Sequence, residues 1–142
     1  MTSSEVAITN LLYRYAELID HGLIDELADE LFGHAQFILA PDAPTIDGPA
    51  MGRLLKKLVI VHEDGTPMTR HVITNAIVHV DERAGTATCR SYYTVFQHLS
   101  PIVQGRYDDR FARIEGEWCF TQRDYSMMDI TGDTSEHLRP LA

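Results

Sequence analysis

The sequence predicts one α+β domain in which helices pack on one face of an antiparallel sheet. Apolar residues at helical spacing occupy the first half of the chain, whereas β-branched and aromatic runs separated by short turns occupy the second half. The chain has 142 residues, of which 44% are hydrophobic and 23% charged. This length and composition suit a single buried core rather than two.

Three helices are expected before the main part of the sheet. The first covers Ser4 to Ile19, since its apolar residues recur every three to four positions, and Thr2 with Glu5 offers a capping box at its start. A second apolar stripe predicts a short helix over Ile24 to Leu31. After a loop rich in Pro, Asp and Gly, a third helix is predicted from Pro49 to Ile60.

The strands follow from runs of residues that favour extended structure. A short strand is predicted at Ala35 to Leu39, and four long strands follow Met68. The long strands cover Arg70 to Asp81, Thr86 to Leu99, Gly105 to Ile114 and Trp118 to Ile130. Two of their connections are short enough for hairpins, which predicts antiparallel neighbours. The domain therefore spans residues 1–130, and the polar residues 131–142 form a tail that crosses the surface or reaches a neighbouring subunit.

Charge and cysteine content exclude several classes of protein. A net charge of −9 is unsuited to phosphate backbones, so no nucleic-acid partner is expected. Cys89 and Cys119 are too few for a disulfide scaffold and lack zinc-ligand spacing, although one bridge between them stays open. The N-terminus has no signal-peptide pattern, and no apolar run approaches the roughly 18 residues of a membrane span. We therefore expect a cytoplasmic protein with no membrane partner.

Nucleotide-binding loops, nucleophile elbows, HExxH and CxxC motifs are absent from the sequence, so candidates are single titratable residues in apolar segments. His71 opens an apolar strand and is the best candidate for a base; a core histidine bonded to a backbone carbonyl is the simpler alternative. Arg123 needs either the outer face of its strand or an acidic or anionic partner. Strict alternation would place Tyr125 and Met127 on the same face as Arg123. Asp20 lies off the apolar stripe of its helix and turns inward only if the helix ends there.

His98 also enters the candidate set, because it lies near the end of an apolar and aromatic strand. It points either into a pocket or to an edge before Pro101. The remaining histidines show no metal-ligand spacing, so no metal site is expected.

Three strings of the chain resemble SnoaL-like members of the NTF2-like superfamily. They are LLYRYAELIDHGLIDELADELF, TRHVITNAIVHVD and GRYDDRFARIEGEWCFTQRDY. The order of the predicted elements is similar over nearly the whole chain. This resemblance implies an NTF2-like cone, in which about three N-terminal helices wrap a strongly curved antiparallel sheet around an internal pocket. The chain looks most similar to the branch that holds scytalone dehydratase, hexachlorocyclohexane dehydrochlorinase and bile acid 7α-dehydratase, which are lyases without cofactors.

The same resemblance implies roles for individual residues. The acid at the end of the first helix corresponds to Asp20, the histidine that opens the long strand to His71, and the arginine of the last strand to Arg123. Tyr15 matches a tyrosine of the bile acid enzyme and Asn75 an asparagine of the dehydrochlorinase. The catalytic candidates are therefore Asp20, His71, Arg123 and Tyr15. The candidates for substrate binding are Asn75, His98, Tyr125 and Met127.

These residues suit an elimination in which His71 removes a proton, Asp20 holds its ring, and Arg123 or Tyr15 steadies the developing negative charge. The expected function is a cofactor-independent lyase, dehydratase-like, or an isomerase acting on a small apolar cyclic molecule, with no metal. Two alternatives remain: a non-catalytic ligand-binding or assembly subunit, like the small subunit of ring-hydroxylating dioxygenases, and a polyketide-cyclase-like enzyme. The long sheet also predicts a homo-oligomer, and the resemblance favours a trimer over a dimer.

Overall fold

The computed structural model describes residues 2–140 and confirms the α+β fold. Three helices accompany one curved, unclosed sheet of six strands. The helices are α1 (Ser4–Asp20), α2 (Ile24–Leu31) and α3 (Gly48–Leu58). The strands are β1 (Gln36–Ile38), β2 (Ile46–Asp47), β3 (Thr69–Asp81), β4 (Thr86–Gln97), β5 (Ser100–Ile114) and β6 (Glu117–Ile130).

The sheet has the strand order β2-β1-β6-β5-β4-β3. The four long strands form the predicted antiparallel meander, and β1 joins β6 in parallel. Because β3 is an edge strand, residues on it are accessible from the side of the sheet. The two-residue strand β2 was not predicted, since it lies inside a segment whose Pro, Asp and Gly residues are typical of a loop.

Side-chain caps set the starts of α1 and α3, whereas α2 begins after Leu23 without one. The Ser3 hydroxyl accepts a hydrogen bond from the Val6 backbone N–H at 3.2 Å, so the predicted capping box of Thr2 and Glu5 is wrong. At α3 the Asp47 carboxylate accepts from the Ala50 N–H at 2.9 Å. A free carboxylate or hydroxyl oxygen at this position satisfies an N–H that has no partner within the helix.

The core lies between α1 and the concave face of the sheet. Leu12, Tyr15 and Ile19 of α1 belong to the same buried cluster as Tyr93 and Tyr107 of the long strands, and the rings of Tyr15 and Tyr107 meet edge to face. The helix packs mainly on β3 and also touches β6. The buried face of α1 therefore ends directly above the start of β3.

Strict alternation fails along β6. Asp108 of β5 pairs with Asp124, but Arg106 pairs with Met127, so β6 holds one extra residue between these pairs. Such a bulge reverses which side chains face inward beyond it. Tyr125 is consequently buried, whereas Met127 is exposed on the other side of the sheet.

The tail is docked on the domain. Leu138 forms a β-bridge with Val59, the residue after α3, and the Ile60 N–H donates to the His137 carbonyl at 2.8 Å. The Arg139 N–H donates to the Leu58 carbonyl at 2.7 Å. Residues 141 and 142 of the predicted tail lie outside the described residues. Within residues 2–140, no helix is both long and apolar enough to cross a membrane.

Candidate functional site

The end of α1 turns Asp20 towards the sheet. Asp20 is the last residue of the helix, and Gly22 follows in the left-handed region with φ of +72°. A Cβ atom at Gly22 would collide with the Gly65 carbonyl oxygen, so the chain needs glycine here both for its φ and for space. Asp20 is only 8% exposed, although a continuing helix would have left it facing solvent.

Three donors from the start of β3 converge on the Asp20 carboxylate. The His71 Nδ1 lies 2.6 Å from Oδ1, and the His71 backbone N–H donates to Oδ2 at 2.8 Å. The Thr69 hydroxyl also donates to Oδ1, at 2.8 Å. The His71 and Asp20 side chains are 6% and 8% exposed, respectively. The carboxylate thus joins the end of α1 to β3 and fixes the orientation of the imidazole.

Asp20 is held in its charged form by these contacts. Burial alone would raise its pKa, but the hydrogen bonds from His71 and Thr69 and the attraction to His71 lower the pKa below its ordinary value. An ionised carboxylate only accepts hydrogen bonds, so in the neutral tautomer of the His71 ring that makes this contact Nδ1 carries the proton. The lone pair of that ring is then on Nε2, which has no hydrogen-bond partner among residues 2–140.

Two cavities border Asp20 and both open to the surface. The first measures about 750 Å³, and its wall includes Thr69, Met68 and Phe96. The second, of about 400 Å³, lies between α1 and the edge strand β3, and its wall includes the His71 and Ile73 side chains. The space next to the Asp20–His71 pair is therefore a cleft at the sheet edge rather than an enclosed chamber.

Arg123 lies in the core and is paired with an acid that the sequence analysis did not single out. Its Nε and Nη2 donate to the two carboxylate oxygens of Asp109 at 2.8 and 2.9 Å, and its side chain is 1% exposed. The guanidinium carbon lies 3.7 Å from the Tyr107 ring centroid and 4.4 Å from that of Tyr15. Burial would lower the pKa of Arg123, but Asp109 holds it well above its ordinary value. Arg123 contributes to neither of the two cavities that border Asp20.

Tyr15 and Tyr125 belong to the same buried group as Arg123. Their hydroxyl groups form a short hydrogen bond with each other, and burial raises the pKa of both. The structure thus brings Tyr15, Tyr125 and Arg123 together in the core. It brings two other predicted site residues, Asp20 and His71, together at the end of α1.

The remaining candidates lie outside both groups. Asn75 is exposed at a bulge of β3, with φ of 54°, and Met127 is exposed beyond the bulge of β6. His98 is exposed in the two-residue turn between β4 and β5, where its Nε2 lies 3.1 Å from a Glu136 carboxylate oxygen, and it forms part of the wall of the larger cavity that borders Asp20. His98 and Leu99 both have positive φ angles, which is the backbone conformation of a two-residue hairpin turn.

His137 is buried next to His71, although the sequence analysis did not single it out. Its ring centroid lies 6.5 Å from that of His71, the ring planes meet at 71°, and the residue is 5% exposed. Burial, helped by the nearby His71, lowers its pKa to about 4. Leu138, an apolar residue in a polar tail, is the one signal in the sequence that this segment docks. In the described part of the chain, no group of three or more His, Cys, Asp or Glu side chains is arranged to hold a metal ion.

Residues 1–124 match the family model of the SnoaL-like domain. The chain belongs to this family. Its structure is similar to that of LinA, with a TM-score of 0.69 and 19% identity over 96% of this chain and 94% of LinA. A candidate scytalone dehydratase from Novosphingobium aromaticivorans gives a TM-score of 0.66 and 20% identity over 96% of this chain and 92% of the other.

A third similar structure is the β subunit of a candidate aromatic-ring-hydroxylating dioxygenase from the same organism. It gives a TM-score of 0.67 and 16% identity over 93% of this chain and 94% of the other. These likenesses confirm the NTF2-like fold, which proteins of different function share. Among curated protein sequences the chain has no significant match.

Proposed function

We propose that this SnoaL-like protein is a lyase or isomerase that needs no cofactor and removes a proton from a small, apolar, cyclic molecule. The observation that carries the proposal is the buried contact of 2.6 Å between Asp20 and His71 Nδ1. It leaves Nε2 as a lone-pair nitrogen beside a cleft. His71 is the general base in this proposal, and Asp20 is a positioning residue.

The electrostatics of the pair suit this role. Proton abstraction converts His71 to an imidazolium ion, and the ionised Asp20 stabilises that charge at hydrogen-bond distance. A positioned base of this kind contributes about 10²–10⁴-fold to the rate of proton transfer. Two of the similar structures, the candidate scytalone dehydratase and LinA, support an elimination.

The test is the exchange or loss of substrate protons in D₂O, followed by NMR on a panel of hydroxylated, keto and chlorinated ring compounds. His71→Gln should reduce the rate with an active compound by at least about 10²-fold, because the amide has no basic nitrogen. His79→Gln on the same strand is the matched control, since His79 is exposed and should leave the rate unchanged. A His71→Gln protein with the wild-type rate would refute His71 as the base.

The dioxygenase β-subunit neighbour favours a second candidate, a non-catalytic subunit that docks on a larger protein. A docking role does not require a buried imidazole with a free lone pair, so the Asp20–His71 pair favours the lyase. Co-expression with a dioxygenase α subunit separates the two: a stable complex in which His71→Gln has no effect on activity favours the docking role.

We also propose that the chain forms a homotrimer through the outer face of its sheet. Val72, Tyr92 and Met127 expose 43%, 56% and 39% of their surface there, which a second copy would cover. Light scattering should give a mass three times the 16.0 kDa of one chain. Tyr92→Arg should reduce that mass, and a monomeric wild-type protein would refute the proposal.

A further inference from the structure

The proposed proton transfer creates a negative charge on the substrate, and the buried candidates for stabilising that charge do not reach it. When His71 Nε2 takes a proton from the carbon next to a carbonyl group, the electron pair of the C–H bond forms a C=C bond. The π pair of the carbonyl group moves to its oxygen, which gives an enolate ion. A cation or hydrogen-bond donor at that oxygen lowers the barrier. Arg123 and Tyr15 are buried in the core, and neither lines the smaller cavity that His71 borders.

Arg70 is the cation that faces this smaller cavity. Of the arginines and lysines among residues 2–140, Arg70 alone lines its wall, and Arg70 also lines the larger cavity. Successive side chains of a strand point to opposite faces, so the buried His71 side chain lies on the inner side of β3 and the exposed Arg70 side chain on the outer side. Because β3 is an edge strand, both side chains border the same space along the edge.

Most donors of the Arg70 guanidinium are unused. Its Nη1 donates to the Thr69 carbonyl at 3.2 Å, and no carboxylate among residues 2–140 forms an ion pair with it. The two acids in the wall of the smaller cavity have other partners, since Glu17 pairs with Arg14 at 2.6 Å and Asp20 accepts from the donors of β3. A guanidinium has five N–H donors and stays charged in proteins, so Arg70 retains donors for an oxygen of a ligand.

The rest of the wall suits a compound with one or two rings. Tyr13, Ala16 and Ile73 supply apolar surface, and the volume of about 400 Å³ lies in the range of about 300–1,000 Å³ that small-molecule sites occupy. The smaller cavity therefore combines a base, a cation and an apolar wall.

We propose that Arg70 is a catalytic residue that hydrogen-bonds the carbonyl oxygen of a cyclic ketone and stabilises the enolate formed when His71 removes the adjacent proton. This inference rests on the proposed function and narrows its substrate class to ring compounds with a carbonyl group. In an isomerisation, His71 returns the proton to another carbon of the enolate. In a dehydration, the enolate electron pair forms the new C=C bond, and a hydroxyl group on the next carbon leaves as water with the proton that His71 holds. Neither reaction consumes a further reactant.

The test compares 4-nitrophenol with nitrobenzene, which differ in one oxygen. At a pH where 4-nitrophenol is ionised, its phenolate resembles the enolate, because both carry negative charge on an oxygen bonded to an sp² carbon. Ligand-detected NMR gives the two dissociation constants for the wild-type protein, Arg70→Gln and Arg70→Lys. We expect the wild-type protein to prefer the phenolate and Arg70→Gln to lower this preference about 10-fold, the loss of a hydrogen bond between charged groups. Arg70→Lys should keep part of the preference, because it keeps the charge but not the planar fork.

Arg83→Gln is the matched control. It removes the same charge from the exposed turn at the other end of β3, so it changes the net charge of −9 equally but leaves the cavity intact. It should not change the preference for the phenolate.

The inference is overturned if the wild-type protein shows no preference for the phenolate, if Arg70→Gln keeps the wild-type preference, or if Arg83→Gln lowers it equally. Binding is measured without turnover, so this failure is distinguishable from that of the proposed function. A wild-type rate in His71→Gln refutes the proposed function, whereas an unchanged preference in Arg70→Gln refutes the role of Arg70 alone.

Discussion

Asp20→Asn tests how much the negative charge of Asp20, rather than the shape of its side chain, contributes to stability and activity. The carboxylate accepts from three donors, the Thr69 hydroxyl, the His71 backbone N–H and His71 Nδ1. An amide has one oxygen and an amino group that only donates, so at least one donor loses its partner. If the amino group faces His71, Nδ1 must become the acceptor, and the ring proton moves to Nε2.

The expected loss of stability follows from these contacts. Hydrogen bonds to a charged group contribute about 1.5–3 kcal/mol each. A negative charge is unfavourable at the C-terminal end of a helix, so its removal from α1 stabilises the fold by about 0.3–1 kcal/mol. We expect a net decrease of about 2 kcal/mol in the free energy of unfolding. For a chain of 142 residues this corresponds to a Tm lower by about 7 °C.

The loss of activity should be much larger than the loss of stability implies. Transfer of the ring proton to Nε2 removes the lone pair that accepts the substrate proton, and a change of tautomer in a His–Asp pair lowers kcat by up to about 10⁴-fold. Circular dichroism gives Tm, proton exchange gives the rate, and ¹⁵N NMR of labelled histidine identifies the protonated nitrogen.

Asp25→Asn is the control, because the Asp25 side chain is 69% exposed and, among residues 2–140, pairs only with the exposed Lys56. It should change stability by less than about 0.5 kcal/mol. The reasoning is refuted if Asp20→Asn keeps the wild-type Tm and the proton on Nδ1. A lower Tm with an unchanged rate would leave the pair a purely structural role.

Three further outcomes test the core and the tail. Because burial lowers the pKa of His137 to about 4, the unfolded chain gains a proton near pH 6.5 that the folded chain takes up only near pH 4. Stability should therefore fall by about 2–3 kcal/mol as the pH falls through this window, and urea denaturation should show a smaller fall for His137→Phe. Asp109→Asn leaves the Arg123 guanidinium buried without a counter-charge and should cost about 3–5 kcal/mol in the same assay; a loss under about 1 kcal/mol would contradict the ion pair. Gly22→Ala should cost more than about 1 kcal/mol by thermal denaturation, given its φ of +72° and the nearby Gly65 carbonyl; an unchanged Tm would contradict the need for glycine.

The order of elements could be predicted from the sequence because it depends on local periodicity. The 3.6-residue repeat placed α1 to within one residue of its end, and the turn residues separated the strands. The start of β5 was misplaced at Gly105 rather than Ser100, since a Pro in the segment argues against a strand while the tight turn at His98 and Leu99 allows one.

The site was harder to predict because its burial depends on distant parts of the chain. Asp20 lies off the apolar stripe of α1, and its burial follows from the helix end and from donors about 50 positions later, on β3. The resemblance supplied that pairing, which periodicity alone did not. His137 is buried where the tail docks on the residues that follow α3, through the Leu138–Val59 bridge and the Ile60 hydrogen bond to the His137 carbonyl, contacts that no local pattern encodes.

The position of Arg123 changes what it can do for catalysis. The sequence predicts for Arg123 either the outer face of its strand or an acidic or anionic partner, and the bidentate contact with Asp109 decides between the two. A guanidinium neutralised by a buried carboxylate has little net field left for a developing charge in a cleft whose wall it does not form. We therefore propose that Arg123 stabilises the core and does not act on the substrate. It packs against the Tyr15 ring on the apolar face of α1, and so ties this helix to the core about 1.4 turns before Asp20.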